Sequence, residues 1–570
     1  MRLFSSRPRI SLRHAAAFFL ISVALFLLWQ QSTAVKLPAM RAGVADPAAS
    51  ETQAKLTGLA SRGYATPPSL PTFDASRTKC DVLVIGGTPA GIAAALAAAR
   101  RGADVILVEA RPLLGGDVVY AMLNQFDVPA RPGEASPIHG IFAEFYDRLG
   151  TAFSTDKARR LFEDTVAVEP TLHAYTRTRV MKILKEGDTV TGVVLRGALD
   201  AKGHADEAEV RARVVVDATN DASVAARAGS GYYIGRENAH PDKAMQSVGL
   251  LFSVDKVDWQ AVRAYTARYR WVPASVKAAA EGGVGRIPKK DGEKLVKLRL
   301  GGMHGSYMWE RGDIVKDYVP RSPRIMTLSI NFGRQGDGTV VLNTLNVVGV
   351  NGLDPESVLA ARREAIAELP HYIAYLRRKM PGFSRAVLSR VAPELYVRET
   401  RHIHGYYSLK VADIRAGTRF FDRIAMASYP LDLHPYFKGQ INPFGARRYY
   451  YTLPLRSLVP RKVDGLFVAS RSLSATYSAA GSARVIPITM AAGEAAGAAA
   501  WLCARQNISP HDVMNDSRWV RQIQESLREW GADIGDKYPT GKVAFARKSK
   551  LPRLVQNKKV SALASRGTRN

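Results

Sequence analysis

Only two cysteines, Cys80 and Cys503, occur in 570 residues, and they form no C-x-x-C pair. A redox-active dithiol of that type is excluded, and so is an iron–sulfur cluster held by four of the chain's own thiolates. No second G-x-G-x-x-G stretch follows a strand-like run, because Gly282-Gly283-Val284-Gly285 has no apolar segment ahead of it. A separate nicotinamide-binding unit is therefore not expected. Internal repeats are absent, and aromatic residues are not interleaved with basic ones, so no nucleic-acid partner is expected. Acidic residues are missing from 1–14 and from 541–570, which carry four and nine Lys or Arg. These ends supply 13 of the net charge of +29. The basic tail reads as a solvated segment, with anionic lipid or a polyanion as the alternative contact.

Long apolar runs are also scarce. Ala15–Trp29 has 15 residues with Ser22 as its one polar member, and four arginines precede it. A spanning helix needs roughly 17–25 residues, whereas a signal h-region has roughly 7–15. Ser32-Thr33-Ala34 offers a small-x-small cleavage site. Residues 1–35 thus read as a signal peptide or as a signal anchor, an N-terminal apolar helix. Either way the body is expected outside the cytoplasm, as an exported protein that is membrane-anchored, periplasmic or extracellular. Residues 36–79 are rich in Ala, Pro, Ser and Thr and read as a linker.

What the chain does have begins at Cys80. CDVLVIGGTPAGIAAALAAARRGADVILVE reads as strand, Gly turn, Ala-rich helix and strand, closed by an acid. Gly86 and Gly87 make the turn, and Pro89 opens the helix where its missing N–H costs nothing. Gly91 lets the helix approach the strand. Glu109 lies 23 positions after Gly86, where a ribose-binding carboxylate belongs. Thr88 replaces the middle glycine of the usual pattern. A second unit lies at Asp464–Leu502: a strand at Gly465–Ala469, a small-residue turn, then an Ala- and Gly-rich helix read as 484–502 with Pro487 in its first turn.

With these two units the chain resembles the FAD-dependent oxidoreductases of the glutathione-reductase-like type, in the branch often labelled xanthan-lyase-like. The turn Gly86-Gly87-Thr88-Pro89-Ala90-Gly91 looks like a variant found in one branch. Leu114-Gly115-Gly116 resembles the family's glycine pair, and Val214–Asp221 its D-A-T-G-D-A turn with Asn220 for glycine. Arg398–Arg401 resembles its R-E-S/T-R segment, Tyr429–His434 its apolar-D-x-H segment, and Thr452–Leu458 its I-P-Y-R-S-L stretch. Ser470-Arg471 stands where many relatives place a ribityl-binding aspartate.

The resemblance implies an α/β fold. It has a Rossmann-like FAD-binding core with an inserted β unit and an α+β substrate or cap domain. The core is expected at 80–229 and 387–505, the cap at 230–386, and a C-terminal extension with the basic tail at 506–570. Thr176–Leu195 reads as two strands joined at Glu186-Gly187-Asp188. Arg324–Val350 reads as strands around Gly336-Asp337-Gly338, and Asp354–Met380 has helical spacing. FAD is the implied cofactor. Its implied contacts are Gly86, Gly87, Thr88, Pro89, Ala90, Gly91, Glu109, Gly115, Gly116, Asp217, Ala218, Asp221, Ser470, Gly481, Ser482 and Arg484.

Flavin chemistry needs a base and an anchor for substrate. His402, His404 and His434 fall in the family-like segments, and His434 is paired in sequence with Asp432. His402 and His404 share a strand face, but no third ligand stands at metal spacing, so no metal is expected. Arg401 and Arg456 either hold an anionic or sugar substrate or form structural ion pairs. Arg484 either pairs with a carboxylate or serves the flavin or substrate. Tyr449-Tyr450-Tyr451 reads as core. Electrons are expected to pass from a small-molecule or sugar-like substrate to FAD, then to oxygen, a quinone or another carrier. A polysaccharide-active, lyase-like protein and a non-catalytic flavin-binding protein are the alternatives. Both cysteines are expected at the end of the sheet away from FAD, either bridged or as two separate thiols.

Overall fold

Asp81–Ile85 shows no polar alternation because both faces of its strand are covered. A computed structural model describes residues 70–128, 138–199, 203–268, 297–301, 306–310, 317–440, 442–444 and 449–536. All fall within one unit spanning 56–570. The apolar segment at 15–29, most of the linker and the basic tail lie outside the described residues.

The first sheet begins with β1 (Lys79–Ile85), β2 (Val105–Val108), β3 (Leu172–Tyr175), β4 (Arg179–Glu186), β5 (Thr189–Arg196) and β6 (Glu207–Asp217). Their order is β3-β2-β1-β6-β5-β4, and the strand Leu466–Val468 also pairs with β6. Neighbours from β3 to β6 are parallel, as is Leu466–Val468, whereas β5 and β4 are antiparallel. The sheet is therefore mixed. The hairpin expected within 176–195 is β4 and β5, turning at Gly187 with φ +61°. The parallel strand β3 just ahead of it went unread.

The second sheet contains β7 (Val248–Asp255), β8 (Lys297–Gly301), β9 (Ser306–Glu310), β10 (Ile325–Arg334), β11 (Val340–Val347) and β12 (Val387–Val391). It is antiparallel, in the order β12-β7-β11-β10-β9-β8. Its edge strand β12 pairs with β7, so this sheet extends past the boundary drawn at residue 386.

Two helices run along the first sheet's main core: α1 (Pro89–Ala99) follows β1, and α2 (Gly140–Leu149) comes later. On the other face lies α3 (Ser223–Ala228). The second sheet is covered by α4 (Pro355–Lys379), whose Ala361, Ala365, Leu369, Tyr372 and Leu376 form one buried stripe. Near the C-terminus come α5 (Tyr477–Ala483) and α6 (Ile486–Gln506). The helix read as 484–502 is α6, and the small-residue stretch ahead of it, read as a turn, contains the separate helix α5. Pro487 has no N–H to offer the Ala483 carbonyl, so the chain breaks at Arg484–Val485 and restarts.

Among the described residues, α6 is the helix long and apolar enough to cross a membrane, and it is 89% buried in the protein core. Cys80 packs with Leu83 and Ile85 under one face of the first sheet, and Cys503 packs with α1 on the other. They are two free, buried thiols, so the bridged alternative is not formed.

Candidate functional site

The turn between β1 and α1 is built by close backbone approach. Gly86 has φ +110°, and a β-carbon there would lie 2.7 Å from the Ala218 carbonyl oxygen. One on Gly91 would lie 1.9 Å from the Gly86 carbonyl. Thr88 caps α1: its hydroxyl accepts from Gly91 N–H at 3.2 Å and donates to the Ala218 carbonyl at 2.9 Å. Glu109 closes β2. Its Oε2 accepts from Gly87 N–H at 2.8 Å, and its Oε1 accepts from the backbone and Nε of Arg111, each at 2.9 Å. Gly115 N–H donates to the Gly87 carbonyl at 2.7 Å, and Gly116 packs beneath Thr88.

The second unit docks directly onto the first. β-Carbons on Gly493 and Gly497 of α6 would lie 2.0 and 2.1 Å from the carbonyls of Ala90 and Ala94. Both contacts advance by four residues, so α6 runs parallel to α1 and their N-termini lie at the same end. There they border one cavity lined by Thr88, Pro89 and Ala90 of α1 and by Ile486 and Thr489 of α6. Asp117, Asn220, Ser470 and Arg471 add polar groups, and Tyr396 and Arg398 come from the second-sheet side. Two helix ends place positive partial charge at this cavity.

Three buried arginines add to it. Arg471 donates to Asp117 Oδ2 at 3.2 Å, to Asp221 Oδ1 at 2.9 Å and to the Val397 carbonyl. Arg484 donates to Asp432 Oδ2 at 3.0 Å, to the Asp432 carbonyl at 3.2 Å and to the Tyr396 hydroxyl at 3.1 Å. Arg398 donates to the Ser247 carbonyl at 2.7 Å. His434 Nε2 stands 3.4 Å from Asp432 Oδ2. Burial, reinforced by the Arg398 charge, pushes the His434 ring down to about 4, so it is neutral at pH 7. Despite burial, the hydrogen bond from His434 and the charges of Arg484 and Arg398 hold the Asp432 carboxyl well below the usual range.

Other expected site residues face the chain itself. Asp217 accepts from Thr219 and from Ala225 N–H, which fixes the start of α3; burial pushes its carboxyl up to about 6. Asp221 joins Thr400 to Arg471. Ser482 bridges the Tyr429 carbonyl and the Tyr451 hydroxyl, and Gly481 packs on Asp432 and Leu433. His402 is buried against Glu399 Oε1 at 3.0 Å. Arg401 donates to the Asp221 carbonyl and lies over the Tyr232 ring. Arg456 is held bidentately by buried Asp422, which is its structural ion pair. Neither His402, Arg401 nor His434 is among the cavity-lining residues. Asp117, Tyr396 and Arg398 were not singled out from sequence. Of these, only Arg398 lay in a segment already marked.

A family model for FAD dependent oxidoreductase matches residues 81–527. The digeranylgeranylglycerophospholipid reductase of Methanosphaerula palustris is 27% identical over 241 residues, covering 38% of this chain and 57% of its own length. Sarcosine oxidase subunit alpha of Rhizobium meliloti is 43% identical over 65 residues, 11% of this chain and 6% of its own. The chain thus spans less than two thirds of the length of these curated relatives. Among solved structures, a geranylgeranyl bacteriochlorophyll reductase-like protein from Thermoplasma acidophilum has a TM-score of 0.36 at 12% identity, covering 80% of this chain and 85% of that one. A myxobacterial chondrochloren halogenase has a TM-score of 0.34 at 15% identity, covering 80% and 79%. With the family model matched from the first strand through α6 and beyond, this chain belongs to the FAD dependent oxidoreductases.

Proposed function

We propose that the chain takes a hydride from a small-molecule or sugar-like substrate onto FAD held in this cavity, and passes electrons on to oxygen, a quinone or another carrier. The observation that carries the reading is the convergence of two parallel helix N-termini on a cavity lined by buried arginines. Helix ends of this kind favour a pyrophosphate. The glycine positions at 86 and 91 leave no room for a β-carbon, as a close backbone turn beneath a dinucleotide requires. The Glu109 carboxylate already accepts four hydrogen bonds from Gly87 and Arg111, so a ribose diol would bind it by displacing the longest of these, Arg111 Nη2 at 3.3 Å. Gly87, Pro89, Ala90, Gly115, Gly116, Ala218 and Ser470 would form the walls. Asp217, Asp221, Gly481 and Ser482 would support them from behind.

Bound FAD supplies the two-electron redox chemistry. Arg484 and the first turn of α6 keep positive charge at one end of the cavity, where it favours negative charge developing nearby. His434 stands one residue behind the wall and reaches Arg484 through Asp432. That chain supports a positioning role for His434 rather than direct proton transfer.

The purified protein is expected to show a flavin spectrum with one FAD per chain. A reducing substrate, sought in a panel of alcohols, amines and sugars, should bleach it anaerobically. Gly91→Val should lose the cofactor; full FAD occupancy in that variant would remove the assignment. A His434→Ala enzyme with an unchanged flavin-reduction rate would remove His434 from the site. Four arginines before Ala15–Trp29 support a body outside the cytoplasm. A C-terminal alkaline phosphatase fusion should therefore be active in a bacterial host, and an inactive one overturns the orientation.

A further inference from the structure

The three guanidiniums lining the cavity are not equivalent. Arg471 is paired with Asp117 and Asp221, and Arg484 with Asp432. Arg398 forms no ion pair among the described residues, although it is only 2% exposed. Of its five N–H donors, Nη1 is used by the Ser247 carbonyl, and Nε is buried without a partner. Its guanidinium lies 4.7 Å from the centre of the Tyr396 ring. Burial, with Arg484 repelling it, pushes Arg398 down to about 10. The Asp432 and Asp127 charges act on it without a direct ion pair, and a buried cation with no carboxylate in contact weakens a fold unless an anion comes to meet it.

The setting distinguishes this arginine from the other two. Ser247 directly precedes β7, and Tyr396 pairs with Gly249 of β7. Arg398 is therefore fixed to the second sheet, whereas the N-terminus of α1 belongs to the first. Of the two arginines that the sequence offered for an anion or for a structural ion pair, Arg456 is occupied by Asp422, and Arg401, held by the Asp221 carbonyl, does not line the cavity. Arg398 lines the cavity with donors to spare.

We propose that Arg398 is the specificity-determining residue of this site and holds the carboxylate of an anionic substrate against the second-sheet wall. The proposal rests on the reading of the cavity as the flavin site. A planar fork of N–H donors matches a carboxylate bidentately, and the Tyr396 ring covers one face of that fork.

The test uses the full chain as wild type, Arg398→Lys and Arg398→Met. Thermal unfolding is followed with and without sodium benzoate, sodium acetate or inorganic pyrophosphate. FAD occupancy is read from the visible spectrum, and benzoate is also titrated against the flavin absorption. In wild type, a carboxylate should raise the melting temperature saturably and perturb the flavin spectrum. In Arg398→Met, carboxylate affinity should fall about tenfold or more, and in Arg398→Lys by less. Without added anion, Arg398→Met should melt no lower than wild type, because a buried charge goes and no direct ion pair is broken. FAD occupancy should be retained in both variants.

Carboxylate responses equal to wild type in the variants would overturn the proposal, as would a wild type that answers neither carboxylate. Loss of FAD in Arg398→Met, with wild type answering pyrophosphate alone, would assign Arg398 to the cofactor and also overturn it. A wild type with no FAD defeats the flavin reading instead, and the carboxylate-dependent thermal shift still decides the role of Arg398. If Arg398→Met does not fold, the weaker response of Arg398→Lys is the deciding comparison.

Discussion

A β-carbon on Gly493 would stand 2.0 Å from the carbonyl oxygen of Ala90. Backbone of α6 therefore lies against backbone of α1, and the two helix N-termini are locked side by side at one cavity. Ridges of larger side chains would hold helices roughly 8–10 Å apart, too far for this contact.

From this contact follows an inversion of the usual glycine rule. In an ordinary helix interior, Gly→Ala stabilises by about 0.5–1 kcal/mol. Here Gly493→Ala and Gly497→Ala should each destabilise, by about 1–3 kcal/mol, as overpacking does. Urea unfolding reads the stability, and FAD retained per chain reads the cavity. A midpoint unchanged or raised in both variants would show that the helices part without cost.

Thr88 stands where the motif usually has glycine, and its hydroxyl joins Gly91 to Ala218. Thr88→Ala should cost about 0.5–2 kcal/mol through loss of the helix cap, and Thr88→Ser should recover most of it. The same unfolding experiment checks the order wild type, Ser, Ala.

Glu494 lies inside α6 and is 2% exposed. Its Oε2 accepts from Ile141 N–H at the start of α2, at 3.1 Å. Burial pushes its carboxyl from 4.5 up to about 7. The folded state thus binds the proton more tightly than the unfolded chain. Its contribution to stability is complete below pH 4.5 and is lost as pH rises through 7, by an amount on the order of 3 kcal/mol. Glu494→Gln should remove this loss, making the variant the more stable protein at pH 8. Equal pH slopes for wild type and variant would count against a neutral Glu494.

Cys80 and Cys503 are separate, and burial pushes both thiols far above their ordinary range. Neither presents a thiolate at neutral pH, so labelling of the native protein should be slow and limited by opening. Denatured but unreduced protein should titrate two free thiols. Rapid labelling of one thiol in the native state would contradict its burial.

Much of this architecture could be read from local patterns. The β1–α1–β2 unit has its strand run, glycine turn and small-residue helix within thirty residues. The hairpin at Gly187, the strand pair β10–β11 and helix α4 follow from residue alternation, turn chemistry and helical spacing. Each signal is local because backbone hydrogen bonding and turn conformation are local. β3 was missed because four residues are too few for a period to emerge.

Pairings across the chain were not legible. Arg456 and Arg398 are both arginines in family-like segments, and nothing local separates them. Folding brings Asp422, 34 residues away, onto Arg456, and gives Arg398 the carbonyl of Ser247, 151 residues away, with no carboxylate. Likewise Asp432 adjoins His434 in sequence, but packing adds Arg484 and sets the histidine behind the cavity wall. By itself the sequence determined the elements, the glycine turns and the family. The tertiary structure decided which charges are compensated and which are left facing the cavity, because burial and ion pairing depend on distances that only the packed chain defines.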